Sequence, residues 1–391
     1  MKILCLPISA FCKTGSGTTP SRNKYERYFN GSIPWVKSGE LRESIITETE
    51  ERVTEEALAE TSLKIAPKGS VLVAMYGANV GRVGILGINA TTNQAVCYLI
   101  PEKDKADSRY VFHALQQKLP EFISRSVGGA QPNISQQIIR ATKILLPPLE
   151  EQKRIAQILD RAEELRSKRR EAIAQLDSLT QAIFIEMFGD PVTNPKGFTL
   201  RKIKDLLESA SYGTSEKSSS EGEFPVLRMN NITRTGEIDL TDLKYMDLAD
   251  RQKERYLVRS GDVLFNRTNS AELVGKTAII RNISNPMAFA GYLVRLRVNK
   301  ENDPEYLSAF LNTDYSKRVL RGMCKSIIGM ANINATEVQT INIAQPPLPL
   351  QKEFARRVEA VEKLKTAHRA SLSELDALFG SLQHRAFRGE L

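Results

Sequence analysis

The sequence predicts an α+β chain organised as an internal duplication with a pseudo-twofold repeat, in which two lobes of mixed α/β character are separated by two long helices. Three observations carry this expectation. Residues 144–188 and 343–387 are two versions of one segment: aligning Pro147-Pro148-Leu149 with Pro346-Pro347-Leu348 sets an offset of 199 that holds without a gap through Leu176-Asp177 against Leu375-Asp376. Both versions space apolar residues in alternating steps of three and four, as a helix packed along one seam requires. The stretches before them carry short apolar runs bounded by Gly, Asn and Pro, which have strand length. The expected order is a first lobe over 1–145, a first helix over 146–189, a second lobe over 190–344 and a second helix over 345–391.

In the first lobe, Ser70–Met75 and Gln94–Ile100 read as strands, and helices are expected around Thr54–Glu60 and Ser108–Leu119. Between them Tyr76–Gly84 is a glycine-spaced loop of the kind that turns a hairpin. The first helix follows, with its seam on Ile155, Ile158, Ala162, Leu165, Arg169, Ala172, Leu176, Leu179 and Ile183. The second lobe repeats the order: Ile33-Pro34-Trp35 returns as Phe224-Pro225-Val226, Lys68-Gly69-Ser70 as Ser260-Gly261-Asp262, and Arg109-Tyr110-Val111 as Glu305-Tyr306-Leu307. Gly129-Ala130-Gln131-Pro132-Asn133-Ile134 lines up with Gly329-Met330-Ala331-Asn332-Ile333. The second seam is Phe354, Arg357, Val361, Leu364, His368, Ser371, Leu375, Leu378 and Leu382. The proline pairs suit helix starts, and Gly189 and Gly389 suit helix ends. Roughly 40 residues at about 1.5 Å each make a rod of roughly 60 Å. A parallel pair would stack Arg169 on His368, whereas antiparallel rods crossing at their centres set Arg169 against Ser371, Ala172 against His368, Leu165 against Leu375 and Leu176 against Leu364. Large then meets small, so the antiparallel coiled coil is expected, with the lobes at opposite ends.

The net charge of +9 is unevenly spread: 18 Lys and Arg stand against 13 Asp and Glu in residues 1–148, and 22 against 19 in 189–344, while the helix copies are nearly balanced. A polyanion held by two separate lobes fits that distribution. Cys5, Cys12, Cys97 and Cys324 form no CxxC pair, and neither a signal peptide nor an apolar stretch of membrane length appears, so a reduced, cytoplasmic protein without a membrane is expected. His113, His368 and His384 have no metal-ligand spacing. Ser270–Thr277 ends like a phosphate-binding loop but has serine where the first glycine belongs. Asn194-Pro195-Lys196 breaks off before the aromatic of an adenine methyltransferase tetrapeptide, and Glu151-Gln152-Lys153 sits on a repeated helix rather than in a nuclease motif.

Ile33-Pro34-Trp35-Val36-Lys37-Ser38-Gly39-Glu40-Leu41, Gly128-Gly129-Ala130-Gln131-Pro132-Asn133-Ile134-Ser135 and Leu146-Pro147-Pro148-Leu149-Glu150-Glu151-Gln152-Lys153-Arg154-Ile155 resemble the specificity subunits of type I restriction-modification systems. The second copies depart from the pattern: Met330-Ala331 replaces the Gln-Pro step and Pro349-Leu350 the paired glutamates. The resemblance covers the whole layout. It implies that each lobe is a target recognition domain reading one half of a split, asymmetric double-stranded DNA sequence, with the helices as an antiparallel spacer. It also implies a chain without catalysis of its own. Modification (methyltransferase) subunits dock on the helices and methylate adenine, and restriction (translocase and nuclease) subunits join to cleave. By the same resemblance, S-adenosylmethionine, ATP and Mg are expected only on those partners.

Contact with DNA needs turning backbone that presents Arg, Lys, Asn, Gln and Ser. The first lobe offers Thr18, Thr19, Ser21 and Arg22, then Tyr76, Asn79 and Arg82, then Arg125 and Ser126 leading into Gly128-Gly129, with Lys37 beside the proline phrase. The second offers Tyr212 and Thr214, then Asn266, Arg267 and Asn269, then Lys325, with Arg228 in the place of Lys37. Arg267 with Asn269 is the expected pair of base readers, and Lys325 a phosphate contact. Two other classes compete: a duplicated coiled-coil scaffold indifferent to DNA, and a self-contained methyltransferase or nuclease.

Overall fold

The computed structural model describes residues 4–126, 132–283, 285–327 (backbone only for 325–327) and 330–391. They form two compact units, 1–169 with 371–391, and 170–370. In the first, the runs that read as strands become Val71–Ala74 and Val96–Pro101, the centre of a five-stranded sheet in the order Cys12–Ser16, Val96–Pro101, Val71–Ala74, Val83–Leu86, Ile45–Ile46. All four residues of Val71–Ala74 are buried, which accounts for an unbroken apolar run in a central strand. The glycine-spaced loop connects two antiparallel strands of this sheet, Val71–Ala74 and Val83–Leu86. A three-stranded sheet sets Phe29–Val36 between Glu51–Val53 and Thr91–Thr92. Leu4–Pro7 pairs with Lys143–Leu146 just before the first long helix. The expected helices are Glu55–Glu60, capped by the Thr54 hydroxyl, and Ser108–Gln117, capped by Asp107.

The second unit repeats this plan. Leu207–Tyr212, Leu293–Val298, Val263–Asn266 and Thr277–Ile279 form its main sheet, and Lys244–Met246, Phe224–Leu227 and Ala288–Phe289 its three-stranded sheet. Thr199–Lys202 pairs with Asn342–Gln345 ahead of the second long helix. The parallel pairing of Trp35-Val36 with Thr91-Thr92 recurs as Val226-Leu227 with Ala288-Phe289.

The long helices run from Leu149–Phe188, 40 residues, and from Leu348–Ala386, 39 residues. Within each unit their segments are antiparallel: Arg166 Nε meets Asp376 Oδ1 at 2.6 Å in the first, and Lys365 Nζ meets Asp177 Oδ1 at 2.8 Å in the second. These are one ion pair twice, since Arg166 and Lys365 are 199 apart, as are Asp177 and Asp376. Phe354 packs on both Phe184 and Phe188, with centroids at 5.8 and 5.3 Å.

The seam corrects the expected one at four of its twelve large apolar positions. Ile155, Phe354 and Val361 are buried, and Ile158, Leu176, Ile183, Leu375 and Leu382 are partly buried, but Leu165, Leu179, Leu364 and Leu378 are 42, 40, 53 and 51% exposed. The buried neighbours are one residue on: Leu159, Val358, Lys365 and Phe379, with Arg166 partly buried. Several true seam positions hold polar side chains, namely Gln152, Arg166, Gln351 and Lys365, so matching leucines to the heptad selects the outer face instead. Arg166 is tolerated because its guanidinium lies 4.3 Å over the Phe379 ring and pairs with Asp376. Lys365, 4% exposed at its side chain, is tolerated because Asp177, Glu362 and Glu237 surround it.

Each lobe is tied to a helix start by a fully buried glutamine. Gln152 donates to Pro147 O (2.8 Å) and Lys105 O (2.9 Å) and accepts from Asp107 N (2.9 Å). Gln351 donates to Pro346 O (2.8 Å) and Asn302 Oδ1 (3.1 Å) and accepts from Asp303 N (2.8 Å). Beside them Tyr110 donates to Leu145 O at 2.7 Å and Tyr306 to Ala344 O at 2.6 Å. Among the described residues no helix is long and apolar enough to cross a membrane, and no His, Cys, Asp or Glu group is placed to hold a metal.

Replacing Gln351 by alanine strips partners from a buried amide and a buried carbonyl, so a loss of about 2 kcal/mol is expected in urea unfolding of the second unit. A change below about 0.5 kcal/mol would mean that water replaces the amide. Lys317 gives a pH dependence. Burial first, then Lys276 and Arg321, push its ammonium down to about 8, while it donates to Gly275 O and Asn312 Oδ1. Its folded value lies below that of the unfolded chain, so charging it costs stability at all pH below about 8, and that cost is relieved as pH rises from about 8 towards the ordinary lysine range. Melting temperature measured between those limits should rise more for the natural chain than for Lys317→Met; equal slopes would refute the assignment.

Candidate nucleic-acid interface

In each lobe four segments meet at one end of the main sheet, held by the same backbone hydrogen bonds. Thr18 N donates to Thr92 O as Thr214 N does to Phe289 O, both at 3.0 Å. Met75 N donates to Ala95 O as Arg267 N does to Tyr292 O, and Ile134 N donates to Met75 O as Ile333 N does to Arg267 O. Tyr76 bridges Asn133, and Thr268 pairs with Asn332. A Cβ on Gly17 would stand 1.9 Å from Thr92 O and one on Gly213 2.3 Å from Ala290 O, so only glycine permits this approach. The equivalent positions therefore are Ser16 and Tyr212, Thr18 and Thr214, Met75 and Arg267, Tyr76 and Thr268, Ala95 and Tyr292, Asn133 and Asn332.

At the first lobe's sheet end lie Thr18, whose hydroxyl meets Ser62 Oγ at 2.7 Å, Thr19, bonded to the Gln94 side chain, Tyr76, 41% exposed, and Asn79 in the short turn Gly77–Asn79. Arg22 and Lys37 gather elsewhere, around Glu51 on the three-stranded sheet. Arg22 makes two bonds to Glu51, at 2.7 and 3.1 Å, and lies 4.4 Å over the Phe29 ring and 5.5 Å over Trp35. Lys37 Nζ reaches Glu51 at 3.0 Å and Glu50 at 2.8 Å. The Arg22 hydrogen bond, and then Lys37, hold the Glu51 carboxyl below the usual range against slight burial. Ser21 is exposed at the entry to the turn Arg22–Lys24. Arg82 faces Glu43 at 3.9 Å, Arg125 pairs with Glu121 at 2.9 Å, and the Ser126 hydroxyl donates to Ile123 O at 2.7 Å. Gly128 and Gly129 lie outside the described residues.

At the second lobe's sheet end, Arg267 lies 4.9 Å over the Tyr212 ring, with Nη1 to Gly291 O at 3.4 Å and Nη2 to Asn332 Oδ1 at 3.3 Å. No carboxylate pairs with it among the described residues, unlike Arg22, Lys37, Arg82, Arg125 and Arg228. Tyr212 accepts at its hydroxyl from Ala335 N at 2.9 Å, and Thr214 is buried with its hydroxyl accepting from Glu216 N. Asn266 is fully buried and bonds Met229 O and Thr268 N, which removes it from any surface. Asn269 accepts from Ser270 N at 2.9 Å and pairs with Ala331 in the strand, so its amide turns inward on its own loop. Arg228 is held by Asp242 at 2.8 Å, and the Lys325 backbone belongs to the strand Lys325–Ile327.

Glu51, Tyr292 and Asn332 are absent from the sequence-based selection. Asn332 left a signal, the Asn-Ile step repeated 199 residues after Asn133-Ile134; Glu51 and Tyr292 left none, because their neighbours are brought by sheet pairing. The segment resembling a phosphate-binding loop is closed to phosphate: Lys276 Nζ turns inward to Met229 O at 2.9 Å and to Ile232 O, and burial lowers its affinity for a proton.

A family model described as the type I restriction modification DNA specificity domain matches residues 7–175 and 195–376. The chain is similar to the EcoKI specificity subunit of Escherichia coli K12, 24% identical over 414 residues, covering 98% of this chain and 88% of that one. It is also similar to the MjaIX specificity subunit of Methanocaldococcus jannaschii, 24% identical over 404 residues, with 97% and 91% covered. Its fold matches the type I restriction-modification S subunit of M. genitalium with a TM-score of 0.61 at 15% identity, over 99% of this chain and 96% of that one. A chain from a structure of type I R-M complex assembly gives 0.59 at 19% identity, with 100% and 98% covered. With one copy of the domain matched on each half, this chain belongs to the type I restriction-modification DNA specificity family.

Proposed function

We propose that this chain is the DNA-reading subunit of a cytoplasmic type I restriction-modification assembly, each lobe reading one half of a split, asymmetric duplex target. It performs no chemistry itself. Modification subunits, carrying S-adenosylmethionine, methylate adenine, and restriction subunits, using ATP and Mg, translocate and cleave. The observation that carries this reading is one scaffold present twice with different side chains at the same sheet end: Ser16, Met75, Tyr76 and Ala95 in one lobe, Tyr212, Arg267, Thr268 and Tyr292 in the other. A reader of two unlike half-sites needs that combination. The exposed Leu165, Leu179, Leu364 and Leu378 suit the docking of modification subunits on the helices. A scaffold indifferent to DNA has no use for an uncompensated, ring-stacked arginine at the sheet end.

Gel shift of the chain reconstituted with modification subunits should show retention that depends on sequence, and methylome mapping with the gene present or deleted should yield one bipartite motif lost on deletion. Retention of all duplexes alike, with no motif lost, would leave the scaffold reading in its place.

A second expectation concerns Glu51. Glu51→Gln weakens the hold on Arg22 and Lys37, so affinity for non-specific duplex should rise and the slope of log affinity against log salt should steepen by up to about 2, at about 0.9 for each additional phosphate neutralised. An unchanged slope would place both cations away from DNA.

A further inference from the structure

We propose that Tyr212 and Asn332 form a cradle that presents Arg267 to a single guanine in the half-site read by the second lobe. The inference rests on the reading of the chain as a DNA specificity subunit and adds the base and two positioning residues. It starts from a count of donors. A guanidinium has five N–H groups. In Arg267 the Nε–H is buried without a partner, one N–H of Nη1 points to Gly291 O and one of Nη2 to Asn332 Oδ1. Two donors remain, one on each terminal nitrogen. A bidentate contact with guanine O6 and N7 uses as many, one from each of two nitrogens.

The cradle is built rather than incidental. The Tyr212 ring supports one face of the guanidinium at 4.9 Å and is itself fixed by the hydrogen bond from Ala335 N to its hydroxyl. Asn332 accepts from Arg267 and donates through Nδ2 to Thr268 Oγ1 at 3.2 Å, so its amide cannot rotate without losing both bonds. All of these acceptors are neutral, so the positive charge is left for an outside partner. The first lobe cannot make this device, because Met75, 3% exposed, stands where Arg267 is, and Ser16 where Tyr212 is.

The test uses the full chain assembled with its modification subunits, with base preference scored at every target position by methylation-site sequencing. Arg267→Ala should reduce discrimination at one guanine by about 5- to 150-fold, the ratio equivalent to about 1–3 kcal/mol. Tyr212→Ala and Asn332→Ala should relax the same position, less strongly. Tyr212→Phe should keep it, since the ring remains. Asn332→Asp supplies the missing carboxylate and should cost the guanine preference while thermal melting stays that of the natural chain. If Arg267→Ala weakens all sequences alike, Arg267 holds a phosphate and the proposal falls. If Arg267→Ala relaxes one base but the Tyr212→Ala and Asn332 variants do not, the cradle falls and the reader stands. If the natural assembly shows no sequence preference, the failure lies in the underlying function.

Discussion

The placement of each lobe depends on one buried glutamine amide. Gln152 and Gln351 each stand at the first turn of a long helix, where backbone carbonyls before the helix and a backbone N–H of the lobe converge on a space closed to water. A glutamine supplies an acceptor and two donors in one plane, which no apolar residue of similar volume does. The N–H it satisfies belongs to Asp107 or Asp303, the residue that caps the lobe's own helix. Lobe helix and long helix are thereby locked through a single side chain. The neighbouring Tyr110 and Tyr306 bond the strand that leads into the same helix, so three elements share one polar joint in each unit.

That joint is strict and the repeated ion pair beyond it is less so. Arg166 with Asp376 and Lys365 with Asp177 occupy matching places, and at the second the lobe joins in: Glu237 adds a carboxylate to Lys365 and binds Arg369 at 2.6 Å. Burial opposes ionisation of Glu237, and Arg369 with Lys365 outweighs it, keeping the carboxyl below its usual range. The duplicated framework has thus kept its interhelical charge pair, and in the second copy a lobe carboxylate joins it.

The duplication, the helix limits and the central strands were legible because each is written locally, in a fixed offset, a proline pair or an unbroken apolar run. The phase of the seam was not. A heptad filled with leucine competes with one containing Gln152, Arg166, Gln351 and Lys365, and only the tertiary partners of those four make the polar phase the buried one. Most of the loops chosen as DNA contacts do contain the sheet-end residues, since turning polar backbone marks itself. What each side chain does there was hidden: Asn266 is a core amide, Asn269 closes its own turn, and Arg22 with Lys37 answers to a glutamate on a distant strand. Sequence distance conceals such pairings, and a single chain without its sheet register cannot disclose them.

On the proposed reading, the sheet end lets two lobes differ in what they recognise without differing in fold. Its architecture is carried by backbone bonds, and the residue that follows the central strand, Met75 in one lobe and Arg267 in the other, makes the same two, from its N–H and to its carbonyl. Side-chain identity there is free of the framework. Methionine at that place turns into the first lobe's core, whereas arginine gives up that burial and must be supported instead by a ring and an amide. The exchange therefore calls for a concerted change at Tyr212, while Asn133 and Asn332 keep one residue type in both lobes. Charge differs as well: away from its sheet end the first lobe compensates a stacked arginine with Glu51, whereas at the second lobe's sheet end no carboxylate pairs with Arg267 among the described residues. Methionine at the matching place in one lobe and arginine in the other give the two sheet ends of one duplicated scaffold unequal electrostatics, which suits the proposed reading of two unlike half-sites.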